Sequence, residues 1–343
     1  MTNFHIFLFN ETVRERFFGY NHEVSISELP VWGNFRIIDV LAISNMKELP
    51  LTTASLENSH DAHRILDLLN SDGISENIVI GRTGNILVLD WLSLTSRLES
   101  PKGIMKFQAS KVPSEFYYMK KGDFIKILTD CEKSKKLGGR SVLHHVFDKV
   151  LFFNFERIIE SSGFSFLMRN SYEYFKENLR IINHLLDSSF TQLYGALKVS
   201  SLSSTVVGTH AVVKNSVLGS GTKVDGVIED SVIFNGVTVG RDTKIKCSVV
   251  LPSNEIEDNV CIENALVLGG THRVIKRGTT IGSSIRISNR DFPEVIKDGL
   301  TIIGESITIP EGSQIGSGCL IQGKWDRESF PLIVQDGMTF TVG

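Results

Sequence analysis

From about residue 205 onward the chain repeats itself at intervals of six. Aliphatic residues stand at Ile233, Val239, Ile245, Val250, Ile256, Ile262 and Val267, in steps of 6, 6, 5, 6, 6 and 5. Val207, Val213, Leu218 and Val224 precede them in steps of 6, 5 and 6, and Ile303, Ile309, Ile315 and Ile321 follow in steps of 6. An α-helix has a period near 3.6 and a half-buried strand a period of 2, so neither accounts for this pattern. A period near six, with Gly, Asn or Asp in between, is that of a hexapeptide β-helix. Each short strand forms one wall of a triangular coil and turns one aliphatic side chain inward. Gly, Asn and Asp suit the corners because they adopt left-handed backbone angles at little cost. A β-sandwich of short strands is the alternative that the period disfavours. The stretch SIRISNRDFPEVIKDG, residues 284–299, breaks the period and is expected to loop out between coils.

The first half of the chain obeys different rules. FHIFLF at 4–9 and the runs NIVIG and NILVLDW between 77 and 91 read as strands apolar on both faces, as buried parallel strands are. DAHRILDLLN, GDFIKILTDCEKS and RSVLHHVFDKVLF read as helices, and the alternation predicts an α/β sheet. GIMKFQASKVPSEFYYMK reads as strand with core aromatics. SYEYFKENLRIINHLLD carries Tyr172, Phe175, Leu179, Ile182 and Leu186 as one helical stripe, expected to pack on a sheet or on the β-helix. The organisation expected is therefore an α/β domain over 1–187, a linker over 188–204, and a β-helix over 205–343 with its loop at 284–299.

Bulk properties exclude several classes. With 41% hydrophobic and 22% charged residues the chain is an ordinary globular one. A net charge of −3 gives no reason to expect nucleic acid or an anionic membrane as partner. Cys131, Cys247, Cys261 and Cys319 are scattered without a CxxC, which points to buried free thiols in a reducing cytosol rather than disulfides or zinc. MTNFHIFLFN lacks the basic residues and cleavage site of a leader, and no apolar run approaches the about 20 residues that cross a bilayer. The protein reads as cytoplasmic.

Three blocks carry a family resemblance. PVWGNFRIIDVLAISN, residues 30–45, resembles P-F-G-G-x-Y-R-L-I-D-x-x-L-S-N of the bacterial glucose-1-phosphate adenylyltransferases (ADP-glucose pyrophosphorylases), through Pro30, Gly33, Phe35, Arg36, Asp39, Ser44 and Asn45. YFKENLRIIN is similar to that family's YY-x-x-N-x-x-L-L helix. VVKNSVLGSGTKVDGVIEDSVIFNGVTVG, residues 212–240, resembles its coil pattern with N-S-V and S-V turns, the most specific of the three. The resemblance implies a Rossmann-like nucleotidyltransferase-type α/β domain followed by a left-handed parallel β-helix.

The departures bear on activity. Active members follow the first strand with G-G-x-G-x-R-L-x-x-L-T, whose backbone N–H groups approach the nucleotide phosphates. Here NETVRERFFGYNHEVSISEL follows, with Gly19 alone and Arg14 and Arg16 outside any glycine cluster. The family's two metal-binding carboxylates align with Gly84 and Leu167, neither of which holds Mg²⁺. Only about thirty residues separate Asn45 from the NIVIG strand, so the α/β domain is trimmed. Regulatory-type (GlgD-like) subunits of Gram-positive bacteria also lack the glycine loop and often read Y-Y-K-x-N, which Lys176 matches. The resemblance thus implies a non-catalytic, regulatory or scaffolding subunit in glycogen metabolism, without catalytic residues or cofactor. It implies a homo- or hetero-oligomer with a catalytic homologue. The alternatives are an active glucose-1-phosphate adenylyltransferase using Mg²⁺, and a hexapeptide acyltransferase.

Few single residues stand out. Arg36, by resemblance, lines a site for a phosphorylated effector, a task suited to its planar fork. A simple ion pair with Asp39 is the competing role. His63, His144 and His145 read as helix residues rather than metal ligands. His210 and His272 fall at coil turns, where hexapeptide acyltransferases keep a catalytic base, and read as exposed corner residues.

Overall fold

The computed structural model describes residues 4–10, 17–43, 49–89, 94, 98, 101–109, 112–133, 141–152, 157–161, 163–184, 203–270, 273–323 and 330–342. Contacts divide the chain into two units, and the division does not follow sequence order. One unit takes 1–12, 25–29 and 37–167; the other takes 13–24, 30–36 and 168–343. The 171–184 helix thus groups with the β-helix. Most of the expected linker, and with it Leu186, lies outside the described residues.

The strands before residue 168 are β1 (Phe4–Asn10), β2 (Pro30–Val31), β3 (Phe35–Arg36), β4 (Leu51–Ser55), β5 (Asn77–Arg82), β6 (Asn85–Leu89), β7 (Met105–Ala109), β8 (Val112–Lys120), β9 (Arg157–Ser161) and β10 (Gly163–Leu167). The first unit is built on a six-stranded sheet of order β4-β1-β5-β8-β7-β9. β1 runs parallel to β4 and β5, β8 antiparallel to β5 and β7, and β9 parallel to β7. Alternate residues of the central strands, Phe7, Phe9, Ile78, Ile80, Tyr117 and Met119, turn to one face. There they pack on Ile65, Leu69, Phe124, Leu128, Val146 and Phe147 from the helices Ser59–Asn70, Lys121–Lys133 and Val142–Phe152. The first helix is stopped at its start by a capping box, in which Asp61 N–H donates to Asn58 Oδ1 at 3.0 Å while Asp61 Oδ2 accepts from Asn58 N–H. The expected aromatic-rich strand is a pair, β7 and β8, with Phe107, Phe116, Tyr117 and Tyr118 buried.

One strand departs from expectation. β6 does not join the main sheet but pairs antiparallel with β10. Two residues separate it from β5, too few for the crossover that a parallel neighbour in the same sheet requires.

The second unit is the β-helix, three walls of parallel strands. The first wall runs from Val206–Val207 to Arg273–Ile275, the second from Val212–Lys214 to Ile333–Val334, and the third from Val217–Leu218 to Thr339–Val342. Their inward residues, Val224, Ile233, Val239, Ile245, Val250, Ile256, Ile262, Val267, Ile275, Ile281, Ile303, Ile309, Ile315 and Ile321, form one continuous core. The period read from the sequence is this column. Its first members differ: Val207 and Val213 are 54% and 37% exposed. They belong to the first coil, and among the described residues no earlier coil pairs with it.

The corners take left-handed angles at Gly221, Gly236, Gly278, Gly282, Gly312, Gly318 and Gly337, and at Asn215, Asp230, Asp242, Asn259 and Asn264. Cys247, Ser253 and Ser306 do so too, at some steric cost. One corner carries a serine ladder. Ser231 Oγ donates to Glu229 O at 2.6 Å and accepts from Ser248 N–H at 3.1 Å; Ser248 Oγ donates to Lys246 O at 2.7 Å and accepts from Ala265 N–H at 3.1 Å. The N-S-V and D-S-V motifs are the sequence trace of this ladder.

The insertion at 284–299 leaves the coil where expected, between Thr280–Ile281 and Thr301–Ile303. It folds back on the last coils, anchored by buried Asn289. Asn289 Nδ2 donates to Gly318 O at 3.0 Å, and Oδ1 accepts from the N–H groups of Asp291 and Phe292 and from Thr339 Oγ1.

Candidate functional site

Where the resemblance implies a phosphate-cradling glycine loop, this chain has residues 17–24, which belong to the β-helix unit. Gly19 O accepts from Glu305 N–H at 2.7 Å, Asn21 Nδ2 donates to Glu305 O at 3.2 Å, and His22 Nδ1 lies 3.2 Å from Glu305 Oε2. Gly19 takes φ +91, and a Cβ there would come within 2.8 Å of Leu268 Cδ1. Its glycine is needed for contact with a coil, not for approach to a ligand. Phe18 packs on Phe292 and its N–H donates to Ser171 Oγ at 2.8 Å. This stretch is a strap committed to protein partners. Arg14 and Arg16 lie outside the described residues.

The two positions aligned with metal ligands do converge. Gly84 sits in the turn before β6, and its neighbour Asn85 is register partner to Leu167 of β10. The donors found there are neutral and spent. Buried Asn85 accepts from Glu115 N–H at 2.6 Å through Oδ1, and donates through Nδ2 to Ser165 Oγ at 3.0 Å and Phe166 O at 2.9 Å. A hard divalent cation requires several oxygen ligands, with charge among them. A glycine, a leucine and a saturated amide do not fit Mg²⁺, and among the described residues no three His, Cys, Asp or Glu side chains gather for a metal.

The Arg36 stretch forms the β2–β3 hairpin, turned by Trp32 at φ 56 and Gly33 at φ 87. Its turn is stitched to the β-helix: Gly33 O accepts from Asn235 N–H at 2.9 Å and Asn34 Oδ1 from Ser220 N–H at 2.7 Å. Trp32 is fully buried; its N–H donates to Asn178 Oδ1 at 3.1 Å, and Tyr174 OH donates to Pro30 O. The Y-F-x-x-N motif is thereby explained, since Tyr174 and Asn178 clamp the hairpin. Burial pushes the Tyr174 phenol well above its ordinary value and keeps it a donor. The buried face of this helix is Ser171, Tyr174, Phe175, Asn178, Ile181 and Ile182, so that Phe175 and Ile182 of the expected stripe are buried while Tyr172 and Leu179 are only half-buried. The reason is Asn178, a polar residue that apolar periodicity passes over. Arg36 itself is exposed at the end of β3, and Asp39 is half-buried in the helix Ile37–Ile43. Ser44 and Asn45 lie outside the described residues.

The histidines stand as read where described. His63, His144 and His145 are on helices, with His144 Nδ1 2.9 Å from Ser141 Oγ. His210 is an exposed corner residue 3.6 Å from Asp225, and His272 lies outside the described residues. Sequence reasoning missed Arg273, only 2% exposed on a coil strand, whose guanidinium donates to Gly269 O and, among the described residues, leaves Nε and Nη2 without partners. Burial lowers its pKa to about 9, against the opposing influence of Glu305.

Residues 200–303 match the GlmU-like, C-terminal hexapeptide family. A glucose-1-phosphate adenylyltransferase of Acetivibrio thermocellus is 29% identical over 125 residues, 36% of this chain and 29% of that enzyme. The enzyme of the same name from Desulfitobacterium hafniense is 31% identical over 112 residues, 33% and 26% of the two chains. That of Bacillus cytotoxicus is 38% identical over 94 residues, 27% and 24%. Over these stretches the chain is similar to the glucose-1-phosphate adenylyltransferases. The matched stretches span only about a quarter of the length of these enzymes. Among the described residues, no helix is long and apolar enough to cross a membrane.

Proposed function

We propose that the chain is a non-catalytic, regulatory or scaffolding relative of glucose-1-phosphate adenylyltransferase, acting in ADP-glucose metabolism in an oligomer with a catalytic homologue. The observation that carries this reading is the fate of the segment after β1. Its backbone groups at Gly19 and Asn21 are bonded to Glu305, so they are not presented to a nucleotide. The neutral, satisfied Asn85 beside Leu167 supports the same reading. Arg36, exposed at the end of its hairpin, is the candidate contact for a phosphorylated effector, with Asp39 its candidate structural partner.

Purified protein is expected to form no ADP-glucose from ATP, glucose 1-phosphate and Mg²⁺. Turnover of roughly 1 to 10³ per second that follows the protein through purification would establish instead an active adenylyltransferase. Co-expression with a catalytic homologue, read by light scattering and the homologue's kinetics, tests the partnership. A chain that neither binds the homologue nor changes its rate is not a regulatory subunit.

A further inference from the structure

The wall of the β-helix that ends in Ile333–Val334 changes character along its length. Strand register stacks one outward column in the order Lys214, Glu229, Lys246, Glu263, Gly282, Gly316, Gln335. The first four members pair as opposite charges, Lys214 with Glu229 at 4.0 Å and Lys246 with Glu263 at 3.9 Å. The next two carry no side chain, and none fits: a Cβ at Gly282 would lie 2.1 Å from Glu263 O, and one at Gly316 2.3 Å from Asp336 Oδ1. The wall is therefore hollow at these two coils. The anchored 284–299 insertion and the last coil close its sides, and the result is an open groove of about 720 Å³.

Its lining is unspent hydrogen-bonding capacity. Thr280, Gln314 and Gln335 are exposed into the groove, and among the described residues their side chains make no hydrogen bond. Arg290 lines it from the insertion, held through its own N–H donating to Gly337 O at 2.9 Å, while among the described residues its guanidinium makes no hydrogen bond or ion pair. The acid within the lining, Asp336, is partly committed, accepting from Ser317 N–H at 2.7 Å. Ile287 and Ile333 supply apolar surface. The volume is that of a small-molecule site.

We infer that this groove binds a small hydroxylated anion, a sugar phosphate or a sugar acid, with Arg290 on the charge and Thr280, Gln314 and Gln335 on the hydroxyls. Amide and hydroxyl side chains match polyols, and a guanidinium without a partner matches a phosphate or carboxylate bidentately. The site is separate from Arg36 and independent of the catalytic standing of the chain.

Calorimetric titration of the full chain with glucose 6-phosphate tests it, with gluconate, glucose and inorganic phosphate titrated alongside. Glucose 6-phosphate or gluconate is expected to bind, and glucose and phosphate each more weakly, since each satisfies half of the lining. Arg290→Ala is expected to weaken binding about tenfold or more. Gln314→Trp, an exposed replacement that fills the hollow, is expected to abolish it. Arg36→Ala is expected to leave it unchanged. Unaltered melting temperatures of the free variants show that they fold. Groove-dependent binding of either anion supports the site and assigns its charge class. The proposal is overturned by absence of binding to both anions, or by binding that survives both groove substitutions.

Discussion

Cys261 is the exposed cysteine, Cys247 is half-buried, and Cys131 and Cys319 are buried. All four are free, as their spacing implied, and burial first of all raises the pKa of each, including Cys261. Because the thiolate is the reacting form, modification of the native protein is expected to be slow at neutral pH and to begin at Cys261. Its rate should still be climbing at a pH where that of an ordinary thiol has levelled off. Peptide mass spectrometry over a time course checks this, and labelling of Cys319 as fast as Cys261 would contradict the burial pattern. Arg273 is a second residue whose placement has a measurable cost. Its folded-state pKa, about 9, lies well below the ordinary guanidinium range. Below pH 9 the charge is carried in both states and the burial penalty is present in full; above about 9 the unfolded chain holds the extra proton, so this group's contribution to stability improves as pH rises. Arg273→Met, which removes a buried charge with two unpartnered nitrogens, is expected to keep or raise the melting temperature at pH 7. A clear fall would show that the guanidinium has a partner of consequence. Nothing in the sequence distinguished this arginine from the exposed ones, because its burial depends on which coil residues surround it.

The coils were legible because a solenoid needs one aliphatic per wall per turn, and that demand is written at fixed spacing. What spacing left out is what passes between coils. Ser248 serves residues on two coils, accepting from Ala265 N–H and donating to Lys246 O. Ser248→Ala leaves the Ala265 N–H buried and unmet, while Lys246 O keeps Asn264 N–H, and is expected to cost about 1–3 kcal/mol, read as a fall in denaturant midpoint at constant slope. Ile245→Asp, placing a charge in the central column, is expected to abolish soluble protein; normal yield of folded material would count against the continuous core. In the α/β unit the helices followed the reading closely, since Ile65, Leu69, Phe124 and Leu128 keep helical spacing and face the sheet. β6 was misplaced because an apolar run is the same whichever strand it pairs with. The candidate site was legible mainly by subtraction. The missing glycines and carboxylates could be read directly, whereas the strap at 17–24 and the hollow at Gly282 and Gly316 depend on contacts between residues far apart in sequence.

At the scale of the molecule, stability is expected to be uneven. A stacked core gains from each neighbouring coil, so coils with partners on both sides should open last. Hydrogen exchange is expected to be slowest at Ile245, Val250 and Ile262 and much faster at Val206, Val207 and Val212, which are more than half exposed. Uniform protection along the coils would show that something covers the first one. The division of the chain has one more effect, which concerns the order in which its parts are made. Asn21 is bonded to Glu305, 284 residues later, and Asn34 to Ser220, 186 residues later. Both segments are synthesised before the surfaces they bind. The strap must wait, undocked, until the coil that carries Glu305 is made, and the hairpin, with Trp32, until Asn178, Ser220 and Asn235 are made. Docking of these early segments is thus timed by the coils and not by their own synthesis.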